Sequence, residues 1–145
     1  MKILIINGPN LNLLGARDKQ HYGNLTLAKI EEIIKIEFSE IDFAFFHSNL
    51  EGEIIEKIQK ASAEYDGIII NPGGYAHTSV AIRDALTDCN IPKIEVHLSH
   101  LVNRDSFRQN LITAGACNGY ISGFKENSYL AGIFLLNKII AEIGK

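Results

Sequence analysis

The feature that most constrains the fold is a continuous aliphatic run near the N-terminus, Ile-Leu-Ile-Ile at residues 3–6. A run without polar alternation is typical of a strand that is covered on both faces, as in parallel sheets. Gly8 and Pro9 end it, because proline cannot donate to a ladder and glycine permits unusual dihedrals. The segment that follows, at about residues 8–23, is longer than the usual connection between a strand and a helix. We therefore predict that it is a lid or binding loop.

Further strands are predicted along the chain, each followed by a helical pattern. The predicted strands after the first are residues 41–46, 68–70, 93–97 and 119–122. The predicted helices are one capped by Thr26, then residues 51–63, a helix that begins near His77 and runs to about 87, a short one at 104–109, and 127–143. Five strands alternating with helices predict an α/β fold, a doubly wound parallel sheet with helices on both faces.

Composition limits the class of protein. The 145 residues are 46% hydrophobic, which predicts one compact domain over residues 1–145. A net charge of −3 without a basic run argues against nucleic acid as a partner. No apolar run approaches the roughly 20 residues of a membrane span. Cys89 and Cys117 are too few for a disulfide framework, and we expect a reduced, cytoplasmic setting.

Polar residues gather where the predicted strands end, which is where ligands bind in such sheets. Glu95 and His97 are two apart on one strand and share a face, so the carboxylate can keep the histidine protonated as a general acid. A structural ion pair explains the spacing equally well. Tyr22 is a poor base unless a nearby cation favours the phenolate, and Arg17 lies five residues before it. A packing tyrosine and an exposed arginine are the alternative interpretation.

Other chemistries have weaker support. A metal site of His77, His97 and His100 matches no known ligand spacing, and nearby arginines disfavour a cation. Ser79 lacks the Gly-x-Ser-x-Gly elbow of a nucleophile and can simply cap a helix. A Schiff base needs a desolvated lysine, and no lysine is predicted to be buried beside this edge of the sheet.

Motifs on five segments resemble type II 3-dehydroquinate dehydratases. The resemblance covers nearly the whole chain and falls largely on loops. The matching segments are NGPNLNLLG at residues 7–15 with Arg17 and Tyr22-Gly23, SN-x-EG at 48–52, NPG-x-Y-x-HTSVAIRDAL at 71–86, EVHLS at 95–99, and R-x-x-FR at 104–108.

The resemblance implies a flavodoxin-like fold and the dehydration of 3-dehydroquinate to 3-dehydroshikimate through an enolate, without metal or cofactor. It implies that Tyr22 is the general base, that Arg17 favours its phenolate and closes with the lid, and that Asn10 helps to stabilise the enolate. His97, oriented by Glu95, would protonate the departing hydroxyl. The substrate-binding residues would be Asn71, His77, Leu98, Ser99 and Arg108, with Asp84 reaching a neighbouring subunit's site in a homo-oligomer of trimers that form a dodecamer.

Two other uses of such a fold are weighed against this one. A flavin-binding electron carrier needs a Ser/Thr/Gly-rich phosphate loop after the first strand, whereas this loop is rich in Asn and Leu. A phosphoacceptor module needs an aspartate at the end of the third strand, where this chain has Asn71. One departure from the resembled family concerns the lid: Lys19 stands where many relatives have proline, and a lid that is looser or that closes more slowly is expected.

Overall fold

A five-stranded sheet with the order β2-β1-β3-β4-β5 forms the centre of the computed structural model, which describes residues 1–144. All four strand pairs are parallel, so every strand ends at the same edge. The strands are β1 (Lys2–Asn7), β2 (Asp42–His47), β3 (Gly67–Asn71), β4 (Lys93–His97) and β5 (Gly119–Ser122). The predicted α/β class and parallel sheet are confirmed.

Helices cover both faces of this sheet. They are α1 (Lys19–Tyr22), α2 (Leu27–Glu37), α3 (Glu51–Ala61), α4 (Val80–Asp88) and α5 (Asn127–Ile143). On one face, α2 and α5 pack against Ile3 and Ile5 of β1. On the other face, α3 and α4 pack against Leu4 and Ile6. Because successive side chains of a strand point to opposite faces, the unbroken aliphatic run supplies both cores.

Several predicted boundaries need correction. The second strand is Asp42–His47 and not 41–46, since Ile41 donates its N–H to the Phe38 carbonyl in the preceding turn. The helix predicted to begin near His77 begins at Val80, and Gly73–His77 form a 3-10 helix before it. Ser79 caps α4 by accepting a hydrogen bond from the Ile82 N–H at 2.9 Å, as the capping interpretation predicted.

Two other predicted helices also differ from the structure. The predicted helix at residues 104–109 is instead a 3-10 helix at Ser106–Gln109, preceded by another at Leu101–Asn103. The predicted helix at residues 51–63 ends at Ala61. None of the helices within residues 1–144 combines the length and the apolar character that crossing a membrane requires.

The segment at residues 8–23 is not a featureless loop. It contains a 3-10 helix at Leu11–Leu13 and the single-turn helix α1, which ends at Tyr22. Asp18 caps α1 by accepting a hydrogen bond from the Gln20 N–H at 2.9 Å. Tyr22 is therefore presented by a capped helical turn, on a segment that bridges β1 and α2.

The ends of β1 and β3 approach each other closely at the point where the strand order reverses. The Gly8 N–H donates to the Asn71 carbonyl at 2.8 Å. A Cβ atom on Gly8 would lie 2.4 Å from the Pro72 carbonyl oxygen, so only glycine fits there. This is the crevice in which doubly wound sheets bind ligands.

Candidate active site

A polar pocket lies at the carboxyl ends of β1, β3 and β4. It is lined by Pro9, Asn10, Leu11, Arg17, Tyr22, Asn71, Gly73, Gly74, His77, His97, Leu98, Ser99, Leu101, Arg104 and Arg108. Nine of the eleven residues that the sequence singled out line it directly. The other two, Glu95 and Asp84, do not, for different reasons given below.

Two guanidinium groups hold the hydroxyl of Tyr22. Nη2 of Arg17 donates to it at 3.0 Å, and Nη1 of Arg104 donates to it at 2.7 Å. The Arg17 guanidinium also lies 3.9 Å from the centroid of the Tyr22 ring. Hydrogen bonds from charged donors favour the ionised form of an acceptor. The pairing of Tyr22 with Arg17, predicted as one of two interpretations, is present, and Arg104 is a second cation on the same oxygen.

Glu95 and His97 form a buried pair. His97 Nε2 donates to Glu95 Oε1 at 2.6 Å, and the other carboxylate oxygen accepts a hydrogen bond from the Thr113 hydroxyl at 2.6 Å. Glu95 is fully buried, so it reaches the pocket only through His97. Because Glu95 binds Nε2 of His97, Nδ1 is the ring nitrogen that can contact a ligand.

His77 stacks beside His97, with ring centroids 6.2 Å apart. Its Nδ1 donates to the Asn110 carbonyl at 2.9 Å. Burial lowers the pKa of His77, and the hydrogen bond to Asn110 opposes this in part, while His97 and Arg108 add to the lowering. His77 is thus favoured in its neutral form, with Nε2 as a hydrogen-bond acceptor.

Two asparagines of the pocket are held by hydrogen bonds from other elements. Asn71 Nδ2 donates to the buried Tyr129 hydroxyl at 3.1 Å, and that hydroxyl donates to Asn7 Oδ1 at 2.5 Å. Asn10 has a left-handed backbone with φ of 69°, and its N–H donates to Asn49 Oδ1 at 2.9 Å. The Asn71 side chain and the Asn10 backbone are therefore held by residues outside the pocket.

Arg108 offers an unsatisfied donor. Its Nε is buried and has no hydrogen-bond partner among residues 1–144, and the nearest carboxylate oxygen, from Asp105, is 3.8 Å away. A buried guanidinium nitrogen without a partner is costly unless a ligand supplies one. The arrangement suits an anionic group bound in the pocket.

Asp84 lies elsewhere. It is exposed on α4 and lines a separate hollow between α3 and α4, together with Ile55, Gln59, Ser62, Ala81, Ala85, Asp88 and Cys89. Asp84 therefore does not contact a ligand in the pocket of its own chain.

Sequence reasoning assigned no role to three residues that position the site. Arg104 binds Tyr22, Thr113 binds Glu95, and Tyr129 binds Asn71. Arg104 lies within the quoted R-x-x-FR motif, which was an available signal. Thr113 and Tyr129 are far in sequence from their partners, and no local pattern reveals such contacts.

One protein-family model matches most of the chain. The model described as "Dehydroquinase class II" matches residues 1–137. That range contains the whole sheet and every residue of the pocket.

Individual relatives are similar over nearly their full lengths. The 3-dehydroquinate dehydratase of Caldicellulosiruptor saccharolyticus is 51% identical over 142 residues, which are 96% of this chain and 98% of the relative. That of Aliarcobacter butzleri is 46% identical over 145 residues, which are 99% of this chain and 88% of the relative. The crystal structure of the type II dehydroquinase from Butyrivibrio crossotus superposes with a TM-score of 0.92 at 47% identity, covering 94% of this chain and 97% of that one.

Proposed function

Because this chain belongs to the class II dehydroquinase family and is an enzyme that dehydrates 3-dehydroquinate, we propose that it does so through an enolate, with Tyr22 as base and His97 as acid. The observation that carries the proposal is the Tyr22 hydroxyl bound by two guanidinium groups in the pocket that also holds the Glu95–His97 pair. One residue is arranged to be a base, and the other to deliver a proton.

The first step is removal of a proton from the carbon next to the ketone. The Tyr22 phenolate takes this proton, and the electron pair of the C–H bond moves toward the carbonyl oxygen to give an enolate. Arg17 and Arg104 supply two positive charges that stabilise the phenolate before the transfer. Asn10 stabilises the enolate oxygen through a water molecule, which is consistent with its place in the pocket lining.

The second step expels the hydroxyl group. The enolate collapses to the conjugated enone, the C–O bond breaks, and His97 Nδ1 protonates the departing hydroxide as water. Glu95 stabilises the imidazolium that this step requires, since it binds the opposite ring nitrogen. The base comes from α1 and the acid from the end of β4. They can therefore act on opposite faces of the substrate ring, as an anti elimination requires.

The remaining pocket residues bind the substrate. Arg108 binds the carboxylate through Nε, the donor that lacks a partner among residues 1–144. Neutral His77 and the Asn71 amide bind ring hydroxyl groups, and the Leu98 and Ser99 backbone completes the site. Closure of the segment at residues 8–23 excludes water from the charged intermediate.

Assembly is the other part of the proposal. Asp84 is exposed outside the pocket of its own chain, and we propose that it reaches the site of a neighbouring subunit. The oligomer would consist of trimers associated into a dodecamer.

The test is replacement of the base by a residue of the same shape. Tyr22→Phe should lose nearly all turnover. We expect kcat to fall by about 10²–10⁴-fold, the usual contribution of one proton-transfer group. Substrate binding should be largely retained, because the aromatic ring remains. Turnover can be followed by the ultraviolet absorption of the enone product, and binding by calorimetry.

Tyr120→Phe is the matched control, since Tyr120 is exposed on β5 and does not line the pocket. It should behave as the parent enzyme. A Tyr22→Phe enzyme that kept more than a few per cent of the parent rate would rule out Tyr22 as the base.

A further inference from the structure

Tyr22 and His97 lie on different elements, so something must fix one relative to the other. Lys125, in the turn between β5 and α5, contacts the segments that carry both. Its Nζ donates to the Gln20 carbonyl of α1 at 3.0 Å, two residues before Tyr22. Its backbone N–H donates to the Leu98 carbonyl at 3.0 Å, one residue after His97. A single residue thus ties α1 to the end of β4.

The side chain of Lys125 also packs beneath the end of α1. Gly23 has a φ of 80° and ends that helix. A Cβ atom on Gly23 would lie 3.2 Å from Lys125 Cδ, so the stem of the lysine runs close along the backbone just after Tyr22. The contact therefore comprises both a charged hydrogen bond and apolar packing.

Lys125 makes these contacts from a strained backbone. Its φ is 52°, in the left-handed region that only glycine enters freely, and apart from Asn10 it is the only non-glycine residue among residues 1–144 with a positive φ. A lysine in that conformation persists when its surroundings over-determine it, and such positions are enriched at functional sites. The contacts of the Lys125 side chain thus offset the free-energy cost of its left-handed backbone, a cost that glycine at this position would not have.

We propose that Lys125 is a positioning residue: it ties α1 to the segment after β4 and so holds Tyr22 in register with His97. Its effect on turnover rests on the proposed function, whereas its effect on the order of α1 does not. Gly15 and Gly23, which also have positive φ, flank α1 on either side and are the places where the segment can turn if the tie is lost.

Three variants separate the effect of the Lys125–Gln20 contact from the effect of the strained backbone at residue 125. Lys125→Gly removes the side chain and the strain together. Lys125→Met keeps the strain and the apolar stem but removes the hydrogen bond. Lys125→Arg keeps a cation and should restore the tie in part. Lys60→Met is the matched control, because Lys60 is an exposed lysine on α3 far along the chain from the pocket segments.

The first readout is limited trypsin cleavage after Arg17 and Lys19, identified by mass. Lys125→Gly and Lys125→Met should be cut about fivefold faster than the parent, as expected for the loss of one hydrogen bond of ordinary net strength. Lys125→Arg and Lys60→Met should be cut near the parent rate. Lys125→Gly should keep the parent Tm, because glycine is unstrained at this φ. A purely structural role would instead lower the Tm.

The second readout is kcat/KM. It should fall in Lys125→Gly and Lys125→Met, the two variants in which trypsin cleavage becomes faster. Unchanged cleavage in both would refute the tie. Faster cleavage with unchanged kcat/KM would refute the positioning of Tyr22. Failure of the proposed function looks different: a Tyr22→Phe enzyme would keep its turnover while the cleavage rates still responded to Lys125.

Discussion

At the scale of single residues, the titratable side chains of the pocket have hydrogen-bond partners of different charge. The Tyr22 hydroxyl is bound by two guanidinium groups, and the His97 imidazole is bound by a carboxylate. His77, stacked on His97, is favoured in the neutral form. The two adjacent imidazoles therefore have different partners, a carboxylate for His97 and a backbone carbonyl for His77.

This difference gives a prediction for His77. Its imidazole signal in a proton NMR titration should have a midpoint below the ordinary value of about 6.5. Because the folded pKa lies below the unfolded one, the unfolded chain binds more protons in that window. The contribution of His77 to stability is therefore present above pH of about 6.5 and is lost as the pH falls through the window toward the folded pKa. The spectrum of His77→Asn assigns the signal. A midpoint at or above 6.5 would contradict the argument.

Sequence reasoning placed these residues at the same edge of the sheet but did not find all of their hydrogen-bond partners. Glu95 and His97 are two apart on one strand, so their contact follows from strand periodicity. Tyr22 and Arg17 are five apart in a short segment, so their contact was one of two interpretations. Arg104 meets Tyr22 across 82 residues, and only the packed chain brings such pairs together.

At the scale of elements, the site depends on how closely α5 packs on the sheet. Gly132 of α5 faces β4, and a Cβ atom there would lie 2.9 Å from Val96 Cγ1. The same helix carries Tyr129, whose hydroxyl orients Asn71. The small residue lets α5 approach near enough for this hydrogen bond, so packing in the core and geometry in the pocket are linked.

Two glycine substitutions test this approach. Gly132→Ala should destabilise the fold by about 1–3 kcal/mol, the usual cost of overpacking. Gly52→Ala, also in a helix but with no atom within 4 Å of the added Cβ, should be neutral or stabilising by up to about 1 kcal/mol. Urea unfolding of both variants measures the difference. Equal stability of the two variants would show that α5 does not need glycine at this position.

The regular elements were the most predictable part of the fold. Residues 93–97, 119–122 and 127–143 were predicted with the bounds that the structure has, since each carries a strong pattern and a clear stop. The helix α1 was missed because four residues cannot show an apolar period. The 3-10 helix before α4 was missed because glycines at 73 and 74 indicate a turn without specifying its hydrogen bonds.

At the scale of the whole molecule, one pocket is assembled from the ends of β1, β3 and β4 and from α1. Asp84 faces away from it, in a hollow between α3 and α4 that includes apolar Ile55 and Ala81. Exposed Val80 lies on the same helix.

This placement leads to a prediction about assembly. Light scattering on the purified protein should give a mass of three chains or of twelve. Asp84→Ala should lower turnover while Tyr22 and His97 remain in place, because the residue lost acts in a neighbouring site. A monomer with full activity, or an Asp84→Ala enzyme with the parent rate, would contradict the proposed assembly.

The central claim is that dehydration proceeds through an enolate and not through an imine on a lysine. The most direct measurement is turnover of fresh 3-dehydroquinate, followed by ultraviolet absorption, by enzyme that was first treated with borohydride in the presence of substrate and then freed of both. The Tyr22–His97 mechanism predicts that activity survives, because no imine forms for the reagent to reduce. Loss of activity together with a substrate-derived adduct trapped on a lysine would contradict it.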